Sequence, residues 1–417
     1  MGPLAGLKVI EVAHIMSGPT AGMLLADLGA DVIKVERVPD GDDTRRFTPP
    51  EVNGESSAFM MMNRNKRGIA LDLKQPAAKA ALQRIIDRAD VVIENFRVGT
   101  MERLGLGYDV LRRSNPRLIY CALSGYGLTG PDALKGGFDL VAQGLSGLMR
   151  ITGDKGGPPT KVGSPVTDIN AGILGALGIV SAYVHLLRTG EGQRVDTSLL
   201  EAGVMQTFWQ SAIFLGSGRE IGPLGSAHPM TAPYQAFETG DGWITVGASN
   251  QVNYVRLTQV LEAPELRDDP RFADNKLRMA NLEALVDELT SRFRRKSSAA
   301  WLAALDAAGV PAGPVQTIAE MLADPQVRAR DMVVDLKHPR AGDTQAIGCP
   351  IKFSATPSRV DWPAPVFGQH TSEVLHEFGF GADEIRDLLD AGAAMQAPAP
   401  SHDGRDRGSP ASRSDGR

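Results

Sequence analysis

The chain has 417 residues, with 44 Lys and Arg, 49 Asp and Glu, and a formal net charge of −5 at pH 7. Hydrophobic residues make up 42% and charged residues 22%, which excludes a fibrous or wholly disordered chain and predicts about two or three globular domains. The mild acidity argues against a basic nucleic-acid or membrane-binding face over the whole molecule.

The 2 cysteines and 7 histidines form no CxxC, HxxxH or HExxH motif, so we expect neither a disulfide framework nor a metal site. The N-terminus does not resemble a signal peptide. The longest apolar stretch, residues 169–187, contains Asn170 and His185 and barely reaches the length of a membrane span. We therefore expect a cytoplasmic protein, not bound to a membrane, in which this stretch is a buried helix.

The first predicted elements form a βαβ unit. Residues 7–13 (LKVIEVA) predict a strand, residues 19–28 a helix and residues 31–36 a second strand. The alternation continues with a helix at 76–89, a strand at 90–93, short helices at 100–104 and 109–114, and a strand at 117–123. This order predicts an α/β fold with an open, doubly wound, Rossmann-like parallel sheet.

The pattern changes after about residue 188. A strand is predicted at 240–248, and the predicted helices are 251–262, 282–295, 298–308, 371–378 and 382–390. We predict a large α/β domain over 1–200 that is completed by 330–395, and a smaller α+β domain over 225–320. Residues 396–417 contain no Leu, Ile, Val or Phe, and we expect a disordered tail there.

A dinucleotide site is the first functional hypothesis to test. Glu36 stands at the end of the second predicted strand, where an acidic residue can bind a ribose. The preceding turn, HIMSGPTAG, has only Gly18 and Gly22 and does not match GxGxxG. Because the pyrophosphate would lack its close backbone approach, the sequence argues against a nicotinamide cofactor.

Cationic and amide side chains recur near the ends of the predicted strands. In an open α/β sheet the carboxyl ends of the strands form the ligand crevice, and Arg and Lys there suit phosphate groups. The alternative is that these are ordinary solvated loop charges. The residues are His14, Ser17, Arg37, Arg64, Lys66, Arg67, Lys74, Asn95, Phe96, Arg97 and Arg103.

A single carboxylate, Asp168 in KVGSPVTDINAG, directly precedes the long apolar helix. This position suits a helix N-cap, stabilised by the helix dipole and the free backbone amides. It also suits a covalent nucleophile, since Asp can form acyl intermediates. The residues alone leave both interpretations open.

Several ordered motifs extend over residues 3–392: LAGLKVIEVAHIMSGPTAGMLLADLGADVIKVER, NRNKRGIALDLK, DVVIENFRVGTMERLGLGY, LIYCALSGYGLTGP, GGFDLVAQGLSGLM, GSPVTDINAG, APYQAFETGDGWITVGASN, VPAGPVQTI and FGQHTSEVL. Together they resemble the class III coenzyme A transferases of the formyl-CoA and carnitine CoA-transferase type. The segment 226–250 is similar to the branch that uses succinyl-CoA and dicarboxylic acids.

The resemblance implies that Asp168 is the catalytic aspartate, which forms a mixed anhydride and then an aspartyl-CoA thioester. It implies no tightly bound cofactor, coenzyme A or acyl-CoA as substrate, a small carboxylic acid as acceptor, and an interlocked homodimer. The implied coenzyme A contacts are His14, Met16, Ser17, Arg37, Leu71, Asp72, Leu73, Lys74, Asn95, Phe96, Arg97, Arg103 and Lys135. Gly125, Tyr126, Gly127 and Phe138 are expected at the substrate, with the two glycines supplying amides.

Two alternatives accompany this hypothesis. The related α-methylacyl-CoA racemases have a His where this chain has Phe138, and Phe cannot move a proton at the substrate carbon. A non-catalytic CoA-binding protein would not need Asp168. The formyl-CoA enzymes have a Gln in place of Met16, which argues against formyl or oxalate specificity. Arg45 or Arg46 are candidates to bind a distal carboxylate of the acceptor.

Overall fold

The computed structural model describes residues 1–398. Its first third alternates strands and helices as follows: β1 (Lys8–Val12), α1 (Ser17–Asp27), β2 (Asp31–Arg37), β3 (Glu51–Val52), β4 (Glu55–Ser56), α2 (Ser57–Met62), β5 (Lys66–Leu71), α3 (Pro76–Ile86), β6 (Val91–Glu94), α4 (Thr100–Leu104), α5 (Tyr108–Ser114) and β7 (Ile119–Ser124). A largely helical section follows: α6 (Asp139–Leu145), α7 (Leu148–Ile151), α8 (Val166–Thr189), β8 (Arg194–Ser198), α9 (Leu199–Met205) and α10 (Phe208–Ser217).

A second group of elements comprises β9 (Tyr234–Glu238), β10 (Trp243–Gly247), α11 (Gln251–Val260), α12 (Pro264–Asp268), α13 (Asn275–Ala280), α14 (Leu282–Phe293), α15 (Ser298–Ala307) and β11 (Ala312–Pro314). The last elements are α16 (Ile318–Ala323), α17 (Pro325–Ala329), β12 (Val333–His338), β13 (Gly342–Ile347), α18 (Thr371–Glu377), α19 (Ala382–Asp390) and β14 (Ala394–Met395).

The main sheet has seven strands in the order β14-β5-β2-β1-β6-β7-β8, and every pair is parallel except β14 with β5. Successive residues of β1 point to opposite faces, so Val9 and Ile10 belong to two different hydrophobic clusters, one on each side of the sheet. These strands are continuously apolar because a hydrophobic cluster covers each face of the sheet. The predicted mixed α/β fold with a large parallel sheet is confirmed.

The strand order reverses beside β1. The chain runs outward from β1 through β2 to β5, and then returns to place β6 on the opposite side of β1. The carboxyl ends of β1 and β6 therefore diverge into a crevice, which is the usual ligand position in such sheets.

The strand β5 is a feature that the sequence analysis missed. It begins with Lys66 and Arg67, and charged residues of this kind are typical of loops. In the structure, however, Lys66 is buried and pairs in register with Val32 of β2. Buried charges in a strand need an ionic partner, which periodicity in the sequence does not show.

A separate hydrophobic cluster lies within residues 232–310, between the three antiparallel strands β9–β11 and helices α11–α15. It includes Phe237, Phe293 and Trp301, whose rings pack in sequence at centroid distances of 5.0 and 5.4 Å. At the C-terminus, Gln396 hydrogen-bonds to Ser372 and Gln369, so the first residues of the predicted tail are held. The predicted tail beyond residue 398 lies outside the described residues.

The helix α8 has 24 residues and is the one helix of the described chain with the length and apolarity of a membrane span. It packs against α1, α9 and β7. The prediction of a buried helix is right for one face only, because Leu177 and Leu187 on the other face are 61% and 65% exposed.

Candidate active site

A cleft of about 390 Å³ opens at the carboxyl ends of β1, β6 and β7, where the strand order reverses. The residues that line it are His14, Ile15, Met16, Ser17, Asp43, Asn95, Phe96, Arg97, Thr100, Leu123, Ser124, Gly125, Gly136, Gly137, Phe138, Asp168 and Leu199. The fold thus brings Asp168 together with predicted site residues from three separate strand-end loops.

Asp168 lies in the first turn of α8 and contributes to the wall of the cleft. Within the described residues no hydrogen bond or salt bridge holds its carboxylate, and the N-cap position of the helix is Pro165. The N-cap interpretation of Asp168 is therefore wrong. The carboxylate is instead available to a ligand in the cleft.

Asp139 at the start of α6 holds the beginning of α8 in place. Its Oδ1 accepts hydrogen bonds from the backbone N of Thr167 at 3.0 Å and from Thr167 Oγ1 at 2.8 Å. Its Oδ2 accepts one from Gln143 Nε2 at 2.7 Å, and Gln143 Oε1 accepts one from Val162 N at 2.8 Å. We did not single out Asp139, although its i,i+4 spacing to Gln143 in DLVAQ was a visible signal.

Burial, and to a smaller extent the negative charge of Asp139, raise the pKa of Asp168 to about 7. A carboxylate with a strongly perturbed pKa in a cleft is typical of a functional site. Near neutral pH, Asp168 therefore exchanges between a neutral acid and an ionised form that can attack a carbonyl group.

Asn95 ties the loop after β6 to the loop after β1. Its Oδ1 accepts a hydrogen bond from His14 N at 2.9 Å, and its Nδ2 donates to His14 O at 2.8 Å and to Ser17 Oγ at 3.2 Å. The side-chain amide of Asn95 is thus engaged by the protein, and it orients the His14 loop. The His14 ring lies 5.4 Å from the ring of Phe96, and burial lowers the pKa of His14, which keeps the imidazole neutral at pH 7.

Gly125, Gly136 and Gly137 form part of the cleft wall. A Cβ atom on Gly137 would lie 2.5 Å from the Cα of Gly125, so neither position accepts a side chain without a backbone shift. A Cβ on Gly136 would lie 2.8 Å from Nη2 of Arg97. Gly125, Gly136 and Gly137 therefore bring backbone, and no side chain, to the wall of the cleft that Asp168 also lines.

The expectation that Gly127 supplies an amide to the substrate is wrong. Its backbone N donates to Ser124 Oγ at 2.8 Å, and Gly127 is not among the cleft-lining residues. Tyr126 also lies outside the lining, and its hydroxyl is 3.5 Å from Gly136 O.

Three predicted coenzyme A contacts stand outside the cleft lining. Arg37 borders a smaller adjoining cavity and is hydrogen-bonded to Asp43. Arg103 lies on the short helix α4 with an exposed side chain. Lys135 is 65% exposed and pairs with Asp132 at 2.7 Å. These three cations are exposed and remain predicted contacts.

The segment 71–74 lies at the end of β5, two strands away from β1. The side chain of Leu71 is fully buried, so a ligand contact through that side chain is wrong. Asp72 accepts hydrogen bonds from Lys74 N and Gln75 Nε2, both at 3.1 Å, and Leu73 packs against the core. Within the segment, Lys74 has an exposed side chain.

Three further cations proposed from the strand-end pattern are already neutralised by acidic partners. The pairs are Arg64–Asp27 at 2.6 Å, Lys66–Glu11 at 2.7 Å and Arg67–Asp31 at 2.6 Å. Their assignment as phosphate ligands is wrong, because their charges are used in the sheet and on α1.

Arg45 is also unavailable to a ligand. Its Nε and Nη2 bind both carboxylate oxygens of Glu36 at 2.6 Å, and its guanidinium lies 3.6 Å over the ring centroid of Phe59. This bidentate pair also explains why Glu36 is not a free ribose ligand. Arg46 remains, since it is half exposed and bonded to Asp43 in the cleft wall.

The chain matches the family model described as CoA-transferase family III over residues 4–371. It is 41% identical over 381 residues to succinate–glutarate CoA-transferase of Agrobacterium fabrum, covering 90% of this chain and 95% of that protein. It is 36% identical over 395 residues to succinyl-CoA:glutarate CoA-transferase of Homo sapiens, covering 94% and 90%.

The crystal structure of a CAIB/BAIF family protein from Brucella suis is similar with a TM-score of 0.81 and 39% identity, over 90% of this chain and 99% of that one. Enzymes of this class move coenzyme A between acids. The class is defined here by the fold, by the cleft in which Asp168 has no partner among the described residues, and by these similarities. The chain belongs to CoA-transferase family III.

Proposed function

We propose that this enzyme transfers coenzyme A from succinyl-CoA to a small dicarboxylic acid, with glutarate as the first candidate, through intermediates on Asp168. The observation that carries the proposal is the half-buried Asp168 carboxylate, which faces the cleft without a partner among the described residues. The substrates named for the Agrobacterium fabrum and Homo sapiens relatives support this donor and acceptor.

The chemistry proceeds by four balanced exchanges. The Asp168 carboxylate attacks the succinyl carbonyl, which forms a mixed anhydride and releases the coenzyme A thiolate. The thiolate attacks the aspartyl carbonyl, which forms an aspartyl thioester and releases succinate. The acceptor carboxylate displaces the thiolate from that thioester, and the thiolate then attacks the acceptor's carbonyl to give the new acyl-CoA and free Asp168. Every intermediate stays activated, so water must be excluded.

The cleft divides these tasks between its walls. We assign Arg97 and the outer cations Arg37 and Arg103 to the phosphates of coenzyme A, since guanidinium groups suit phosphate. The glycine wall at Gly125 and Gly137 leaves room for the thioester beside Asp168. Each negative charge that develops during the exchanges forms in this narrow space, where backbone dipoles act strongly.

The distal carboxylate of the acceptor requires a cation near the cleft. We propose Arg46, which is bonded to Asp43 and to the carbonyl oxygen of Asp40 at 3.3 Å. Movement of Arg46 from Asp43 to the acceptor would exchange one carboxylate partner for another, with little net loss of charge pairing.

A racemase is disfavoured by a particular residue. Phe138 stands at the cleft and is 65% exposed in the single chain, and its ring has no group that moves a proton. The named relatives are CoA-transferases, which supports the transferase.

We further propose that residues 1–200 with 330–395 form the coenzyme A-binding domain, that 225–320 form the small domain, and that two chains interlock as a homodimer. The exposed apolar faces of α8 and α10 support an interface between chains. Every residue of α10 is at least partly exposed, and Leu215 is 84% exposed.

The direct test is to incubate the enzyme with succinyl-CoA and a panel of acids, and to measure the new acyl-CoA by mass spectrometry. We expect glutaryl-CoA in the natural enzyme and none with Asp168→Asn, which keeps the shape but not the nucleophile. Asp109→Asn on exposed α5 is the matched control and should keep full activity. Equal activity of Asp168→Asn would overturn the proposed role of this carboxylate.

A further inference from the structure

The backbone between β1 and α1 contains a strained residue at the edge of the cleft. Ile15 has a φ of +65°, in the left-handed region that a β-branched side chain rarely adopts. Its neighbours His14, Met16 and Ser17 also line the cleft. Strain of this kind persists only where the surrounding structure enforces it, and it is concentrated at functional sites.

A buried charge cluster, consisting of Glu11, Lys34, Asp42 and Lys66, lies beneath this loop. Lys34 Nζ is 2.9 Å from Glu11 Oε1 and 2.8 Å from Asp42 Oδ2, and Lys66 Nζ is 2.7 Å from Glu11 Oε2. All four side chains are at most 1% exposed. Buried ion pairs seldom stabilise a fold more than apolar residues would, so their presence calls for another role.

The buried charge cluster contacts the strained segment at three backbone atoms. Lys34 Nζ donates to Ala13 O at 2.9 Å, and Lys66 Nζ donates to Pro19 O at 2.9 Å. Between these points, the Asp42 carboxylate accepts the backbone N–H of Ile15 at 3.2 and 3.3 Å. The loop is thus fixed before, at and after its strained residue.

Asp42 is itself tightly oriented. Its Oδ1 accepts from Thr44 N at 2.9 Å and from Thr44 Oγ1 at 2.8 Å, and its backbone N donates to Glu36 Oε2 at 3.0 Å. The carboxylate therefore cannot follow Ile15 if the loop relaxes. Conversely, Ile15 N loses a charged acceptor in any other conformation.

We infer that Asp42 is a positioning residue, which holds Ile15 in its left-handed conformation and so presents the His14–Ser17 loop to coenzyme A. The inference rests on the proposed function, because it takes the cleft to be the coenzyme A site. Without this contact the loop spends most of its time in conformations that cannot bind, and the apparent affinity falls by the fraction that remains competent.

The test is a mutant cycle that combines Asp42→Ala with Ile15→Gly, with the dissociation constant of free coenzyme A measured by calorimetry. Glycine adopts a positive φ without steric cost, so it no longer needs the Asp42 contact to hold the loop. When Ile15 is kept, we expect Asp42→Ala to weaken coenzyme A binding about tenfold or more. In the Ile15→Gly background, we expect the same substitution to weaken it by less than about threefold.

A merely structural role predicts a different pattern. Both single variants would then lower the melting temperature, and Ile15→Gly would not reduce the effect of Asp42→Ala on coenzyme A affinity. Additive losses in affinity, or unchanged affinity in Asp42→Ala, overturn the inference. Asp109→Ala, far from the loop on α5, is the control for loss of an acidic residue.

Lys34 loses a partner in Asp42→Ala, and the protein could unfold for that reason alone. The pair Lys34→Met with Asp42→Ala removes both charges while Glu11 keeps Lys66. It also removes the Lys34 contact with Ala13 O, so Ile15→Gly is expected to reduce the loss of affinity in this pair without abolishing it. Absence of coenzyme A binding in the natural enzyme would instead overturn the proposed function, so the two failures are distinguishable.

Discussion

At the level of single residues, the ionisation of Asp168 sets the fraction of enzyme that can react. Its pKa of about 7 means that a large fraction is protonated at neutral pH in the free enzyme. Only the ionised form is a nucleophile. Among residues 1–398 it has no cationic partner, which lowers the fraction of active enzyme but leaves a carboxylate that no ion pair restrains.

We expect kcat/KM for the acyl-CoA donor to rise with pH through about 7 as Asp168 loses its proton. Asp139→Asn removes the negative charge that raises this pKa, so the midpoint of the rise should move to lower pH. Rate profiles from pH 5 to 9 test this, with Asp109→Asn as control. A midpoint that is unaffected by Asp139→Asn would contradict the assignment.

The same pKa predicts a change in stability with pH. An acid whose pKa is raised in the folded state destabilises the protein as pH rises from its ordinary value of 3.8 through about 7. Asp168→Asn removes this penalty, so we expect its melting temperature to exceed that of the natural enzyme by about 2–5 °C at pH 8. Thermal scans should show the gain growing between pH 4 and pH 8, whereas a pH-independent difference would count against the burial of this charge.

Sequence reasoning at the residue scale succeeded where a motif marks a strand end and failed where charges pair across the fold. His14, Asn95 and Asp168 line one cleft, and their roles in binding and catalysis remain predictions. In the sequence, Lys66 cannot be distinguished from a lysine that binds phosphate. Only its contact with Glu11 in the structure shows that its charge is already neutralised. Partners this far apart in sequence have no local signal.

At the scale of elements, hydrophobic periodicity found most of the long helices and four strands of the main sheet, β1, β2, β6 and β7, and it placed α4 and α19 at their observed bounds. In the main sheet it did not find β5, β8 or β14. The strand β14 has only two residues, and β8 (RVDTS) is mostly polar because it lies at the sheet edge. Edge strands are covered on fewer sides, so the apolar pattern that identifies a strand is weak there.

The contact between the glycine-bearing loops around β7 and α6 gives an element-scale prediction. Gly137→Ala places a methyl group 2.5 Å from Gly125 Cα, so one backbone must move. We expect a loss of about 1–3 kcal/mol in stability and a fall in kcat/KM of at least about tenfold, because the cleft wall shifts. Denaturation and rate assays test this.

Gly163→Ala is the matched control for that substitution, since no atom of the described residues lies within 4 Å of its added methyl group. It should change stability by less than about 0.5 kcal/mol. If Gly137→Ala behaved like Gly163→Ala, the close contact of the two loops would not shape the cleft.

At the scale of the whole molecule, a single chain leaves much apolar surface uncovered. Phe208 and Trp209 at the start of α10 are 66% and 56% exposed, and α8 adds the exposed Leu177 and Leu187. Apolar surface of this extent is typical of obligate interfaces. This feature was invisible in the sequence, where α8 has the composition of a buried helix.

We expect light scattering to give twice the chain mass of 44.4 kDa, unchanged on dilution. Interlocked chains separate only by unfolding, so differently tagged populations should not exchange subunits over hours under native conditions. A single-chain mass, or exchange within minutes, would contradict the interlocked homodimer.

In the proposed reaction, the acceptor's carboxylate passes through an anhydride with Asp168. The most direct measurement uses glutarate labelled with ¹⁸O in its carboxylates, together with succinyl-CoA, followed by mass spectrometry of the peptide that contains Asp168. When the thiolate cleaves the anhydride at the glutaryl carbonyl, one labelled oxygen remains on Asp168. With enzyme in excess over succinyl-CoA, so that each active site turns over once, we predict a mass gain of one ¹⁸O in this peptide. Glutaryl-CoA formation without any label on Asp168 would exclude the anhydride.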